Sequence, residues 1–151
     1  MIKFYNTDEE GDVYSNSVEC NLLKIFKHYQ QLYGFYELYL QFDEHIPCRF
    51  MHKEFININF AQAKDLFPLN RIKHRHNCKT LNEFYINILL HEIGHVRDLK
   101  LDKMKFNERR AIQKQSFADD IDIDNPDNME YYFPLEKSAD DFARKEIKKW
   151  I

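Results

Sequence analysis

Glycine and proline are scarce in this 151-residue chain, 3 and 4 residues respectively, so tight turns are few and long regular elements are expected. Cysteine is scarce as well. Cys20, Cys48 and Cys78 form no CxxC pair, which argues against a zinc ribbon, a redox motif or a disulfide framework, and they read as reduced, mostly buried thiols. Long apolar runs are missing: Ile88 to Leu90 is three residues, against the ~20 that cross a bilayer. The first dozen residues carry Asp8, Glu9, Glu10 and Asp12 and no apolar signal core, so the expected compartment is the cytoplasm. Charge of one sign is also lacking. With 22 Lys+Arg against 25 Asp+Glu and a net charge of −3, direct nucleic-acid binding is disfavoured.

What is abundant is aromatic carbon, 13 Phe and 9 Tyr in a chain that is 44% hydrophobic. Such a chain reads as a single domain over residues 1–151 with an aromatic core. Because a domain of this size buries roughly two thirds of its unfolded surface, it folds without a metal, and a metal site would serve chemistry.

Ser17 precedes a helical pattern of Val18, Leu22, Ile25, Phe26, Tyr29, Leu32, Tyr33 and Tyr36, expected to run to about Tyr39. Phe50 to Phe60 reads as a strand, with Ile56, Ile58 and Phe60 on one face. The loop from Asn70 to Cys78 holds Arg71, Lys73, His74, Arg75 and His76 and is the one concentrated positive patch of the sequence. Thr80 and Glu83 have capping-box spacing, so a helix is expected from there to about Leu99. Further helices are expected over Asn107 to Phe117 and from Pro134 to Trp150, separated by an acidic loop, Asp119 to Asp127. The fold class expected is α+β: mostly helical, with a small β-sheet beside the second long helix.

That helix contains His91-Glu92-Ile93-Gly94-His95, an HExxH motif. Four residues apart on a helix, both imidazoles reach one ion, and Glu92 stands beside the water that such an ion activates. A carboxylate there takes the proton as the water attacks a carbonyl, which is the equipment of a zinc hydrolase. No histidine follows His95, and Asp98 and Leu101 occupy the positions where a longer metzincin pattern has glycine and histidine. The third ligand is therefore sought among downstream carboxylates. Glu136 is the best arranged, with Asp98 and Asp102 as runners-up. Asp140, one turn after Glu136, can hold a zinc-bound histidine by its other nitrogen, while Ala139 and Ala143 let the two helices approach closely.

The segments His91-Glu92-Ile93-Gly94-His95 and Glu136-x-x-Ala139-Asp140-x-Phe142-Ala143 resemble the ImmA/IrrE family of small gluzincin-type metallopeptidases. The resemblance covers roughly residues 55 to 146 and rests on about a dozen positions. After the second histidine the family's usual Leu-Leu is replaced by Val96-Arg97-Asp98. It implies a cytoplasmic zinc endopeptidase that cleaves a helix-turn-helix repressor. One zinc per chain would be held by His91, His95 and Glu136, with Glu92 as general base.

Three weaker features are kept as expectations. Tyr131 and Tyr132 precede the Glu136 helix and are candidate oxyanion stabilisers. His74 and His76 read as solvated, and the acidic loop as a solvated or mobile segment. The competing reading of the chain is a non-catalytic regulatory or binding module on a zincin scaffold, with a structural or vestigial metal site.

Overall fold

The computed structural model describes residues 4–6, 17–34, 39–42, 49–51, 55–58, 65–68 and 78–151, with side chains described for 21–34, 65–68 and 78–151. In chain order the elements are β1 (Phe4–Asn6), α1 (Ser17–Tyr33), β2 (Tyr39–Phe42), β3 (Arg49–Met51), β4 (Phe55–Ile58), α2 (Leu81–Leu101), α3 (Lys103–Ala118), α4 (Met129–Tyr132) and α5 (Pro134–Glu146). Short 3-10 turns, Pro126–Asn128 and Ile147–Lys149, precede α4 and follow α5.

The first helix stops earlier than its apolar spacing suggests. Gly34 follows α1 with φ of 71°, the left-handed conformation that ends helices, and its carbonyl accepts a hydrogen bond from Lys100 Nζ at 3.1 Å. Leu22, Ile25, Phe26 and Tyr29 form the buried face, whereas Leu32 is exposed.

α2 begins at its anticipated cap: Thr80 Oγ1 accepts the Glu83 amide at 3.1 Å. Glu83 completes the arrangement one residue further back than a standard box, accepting the Lys79 amide at 2.9 Å. α2 is buried on several sides, through Phe84, Tyr85, Ile86, Leu89, Leu90, Ile93 and Val96. A helix that is apolar around most of its circumference belongs at the centre of a domain. Here α1 and α5 cover it, and Phe142 and Ala143 of α5 join the same core as the apolar faces of α1 and α2. α3, by contrast, buries only Phe106, Gln113 and Ser116.

The expected α+β class with a small sheet is corrected. Where backbone and side chains are both described, the chain is 82% helix with no strand and no sheet. The physical reason lies in what periodicity reports. An apolar face demands a cover without saying which element supplies it, and the described core covers α2 with helices. Backbone pairing alone is described for β1 to β4, in the order β1-β2-β4-β3, so that the segment read as one strand from Phe50 to Phe60 divides between β3 and β4. These segments contribute no described side chain to the core or to the site. Among the described residues no helix is long and apolar enough to cross a membrane.

Candidate metal centre

Four residues carry a helical side chain only about 40° around the axis and one turn along it. His91 and His95 therefore share one face of α2, and both are buried. Their rings stand at 90° with centroids 4.7 Å apart, which brings the two Nε2 atoms to 3.1 Å. α5 supplies the opposing groups. Glu136 Oε2 lies 3.0 Å from His91 Nε2, and Glu136 Oε1 lies 3.2 Å from His95 Nε2. One turn on, Asp140 Oδ1 lies 2.8 Å from His91 Nδ1. An ionised carboxylate only accepts, so Nδ1–H donates to Asp140 and Nε2 faces His95 and Glu136, with a proton when the ring is charged and with its lone pair when the ring is neutral.

Small residues permit this approach. A Cβ placed on Gly94 would stand 3.0 Å from the Ala139 Cα and 3.2 Å from Phe142 Cδ1, so backbone meets backbone where the motif has glycine. Ala139 and Ala143 are fully buried.

His91, His95 and Glu136 each offer a ligand atom, all within 4.8 Å of one another, and the group could hold a metal ion. The donor chemistry fits one. Bonds of 2.0–2.1 Å in a tetrahedral site imply ligand-to-ligand edges of about 3.3 Å. The two Nε2 atoms stand 3.1 Å apart, a few tenths short of such an edge, and Glu136 turns one oxygen to each ring, Oε2 to His91 at 3.0 Å and Oε1 to His95 at 3.2 Å.

The electrostatics point the same way. Burial pushes the His91 imidazole down, but the Glu136 carboxylate, the hydrogen bonds to Asp140 and Glu136 and the field of Glu92 outweigh it and hold it up at about 10. Burial pushes the Glu136 carboxyl up, and the two histidine rings outweigh that, holding it well below the usual carboxylate range. The two shifts are the two sides of one attraction between the imidazoles and the carboxylate. Glu92 is buried next to His91.

The other candidates lie elsewhere. Asp98 pairs with Arg97 at 2.9 Å, and Asp102 caps α3 by accepting the Lys105 amide at 3.0 Å; neither joins the cluster. Tyr131 and Tyr132 are exposed on α4, and neither makes a hydrogen bond to the cluster. His74 and His76 lie outside the described residues. In the acidic segment Asp119, Asp120, Asp122 and Asp127 are exposed, and local turns run through it, with Asp122 Oδ1 accepting the Asp124 amide and Asn125 Oδ1 the Asp127 amide.

Two features escaped the sequence. Gln113 Oε1 accepts the amides of Leu135 and Glu136 at 2.6 and 2.9 Å, and nothing in the polar pattern of α3 announces it. The second is a groove of mixed charge, in which Glu130 and Asp141 stand among the cations and Lys137 pairs with Asp141 at 2.7 Å. Arg97, Arg109, Lys137 and Lys145, scattered in sequence, line this open groove of ≈ 380 Å³ that contains none of the three clustered residues. No family model, no curated protein and no solved structure matches the chain.

Proposed function

We propose that this chain is a zinc-dependent endopeptidase that hydrolyses a peptide bond in a cytoplasmic protein. The observation that carries the reading is the meeting of His91 Nε2, His95 Nε2 and the Glu136 carboxylate within 4.8 Å. Two imidazoles and a carboxylate suit zinc, and three protein ligands leave a position for water or substrate. Zinc held by His91, His95 and Glu136 would supply a Lewis acid and lower the pKa of water to about 7.

The chain's own residues divide the remaining work. Asp140 keeps the His91 proton on Nδ1, so that Nε2 is presented as a ligand. Glu92, adjacent to His91 and buried, receives a proton at its carboxylate when the nucleophile forms and returns it to the leaving amine. The close contact of Gly94 with Ala139 holds the two ligand-bearing helices at one separation. The substrate is a polypeptide, and the resemblance to the ImmA/IrrE family makes a helix-turn-helix repressor the first candidate.

The test is elemental analysis followed by cleavage of a peptide library, read by mass spectrometry, with wild type beside Glu92→Gln. The expected result is one zinc per chain in both proteins and cleavage by wild type only, a loss of at least about 100-fold. Equal cleavage by both would remove Glu92 from the mechanism. Zinc binding without cleavage by either would favour a binding module.

A further inference from the structure

α5 begins without a cap of its own. Its N-cap residue, Phe133, makes no side-chain capping bond, and Pro134 follows at the first helical position, where it has no amide to satisfy. The next two amides, those of Leu135 and Glu136, are the ones a Ser, Thr or Asp cap would normally receive. Both go instead to a single atom, Gln113 Oε1, at 2.6 and 2.9 Å, from 22 and 23 positions upstream. Gln113 is buried on a helix whose other buried residues are Phe106 and Ser116. Packing alone would be served there by an apolar side chain, as it is at Phe106. An amide oxygen shared between two backbone donors serves direction, because it fixes the first turn of α5 from which the Glu136 side chain leaves.

We propose that Gln113 is a positioning residue for the Glu136 ligand, a cap supplied by α3 that sets where the carboxylate stands against His91 and His95. The inference rests on the metal-site reading above. It makes the acceptor oxygen at 113 the quantity that matters. Glutamate at this position keeps that oxygen at the same reach, and its charge suits a helix N-terminus. Methionine keeps the length and volume and removes the acceptor.

The experiment uses cobalt(II) as the probe. Its visible absorption reports ligand geometry, its affinity is read by competition with a chelator, and melting of the metal-free protein is followed in parallel. Gln113→Met is expected to lose about tenfold or more in affinity and to change the cobalt spectrum, while Gln113→Glu stays within about threefold of wild type with an unchanged spectrum. If Gln113→Met binds like wild type, or if Gln113→Glu loses as much as Gln113→Met, the inference is overturned. Should Gln113→Met fail to melt cooperatively, Gln113→Asn, whose oxygen is one methylene short, takes its place under the same criteria. A wild type that binds no cobalt overturns the metal-site reading and this inference together, and that failure is seen before any substitution is made.

Discussion

Near each end of α5 a carboxylate meets aromatic rings from an earlier helix, half-buried at Glu136 and buried at Glu146, but the two meetings are closed by different kinds of atom. Towards the C-terminal end, Glu146 Oε2 accepts the Tyr29 hydroxyl at 2.6 Å and Lys149 Nζ at 2.6 Å, and the Tyr29 oxygen accepts Trp150 Nε1–H at 3.1 Å. Glu146 Oε2 and the Tyr29 oxygen both have donors there. Burial pushes the Tyr29 phenol above its usual range and the hydrogen bond to Glu146 adds to that. Burial also raises Glu146, but the hydrogen bonds from Lys149 and Tyr29 outweigh it and leave the carboxyl below its usual value. Towards the N-terminal end, Glu136 meets two ring nitrogens, one of them on a histidine whose Nδ1–H is directed at Asp140. Lone pairs converge there, and a proton or a metal ion is what reconciles them. The same helix thus carries a latch that is complete within the protein and a cluster whose chemistry invites a cation.

The sharpest way to break this comparison is to remove each carboxylate in turn. Glu136→Ala should lower zinc affinity by more than about 100-fold, beyond the usual effect of an outer-shell change, whereas Glu146→Ala should leave zinc affinity unchanged and lower the melting temperature. Chelator competition and thermal melting distinguish the two. Gly94→Val should cost about 2–3 kcal/mol in urea unfolding, because its side chain enters space already held by the Ala139 backbone, 3.0 Å from the Cβ position. If stability were kept, the close approach of α2 and α5 would have room that its geometry denies.

Asp140→Asn should reduce zinc affinity about tenfold by weakening the hold on His91 Nδ1, measured by the same competition. Tyr29→Phe should cost about 1 kcal/mol and leave metal binding alone, since it removes a donor from Glu146 far from the cluster. The smallest effect concerns pH. A carboxyl lowered in the folded state contributes stability above its usual value of 4.5 and loses that contribution as pH falls through the lowered value. Urea titrations of wild type against Glu146→Gln below pH 4.5 should converge as this contribution disappears.

Legibility followed the range of the interactions. The α2 cap at Thr80, the pairing of His91 with His95 and the spacing of Glu136 and Asp140 are local relations on single helices, readable because 3.6-residue geometry maps sequence onto faces. The end of α1 was also within reach, since Gly34 is the kind of residue that stops a helix, but the apolar spacing beyond it drew the reading on towards Tyr39. The sheet expectation failed because an alternating apolar segment says nothing of what packs on α2. Gln113 and the Arg97 groove were invisible for a related reason: each joins residues whose neighbours in sequence carry no trace of the partner.

The amino-acid sequence by itself determined which residues had the chemistry for a metal site, and it set their order along two helices. Side-chain type and helical period are properties of short segments, so no fold is needed to state them. The tertiary structure alone decided that Glu136 would stand 3.0 Å from His91 and that Asp140 would accept from the other side of the same ring. It also decided that Gly94 would meet Ala139 and that an oxygen on α3 would cap α5. Those are distances between helices, fixed by how buried surfaces fit together, and the periodicity of one helix does not contain them.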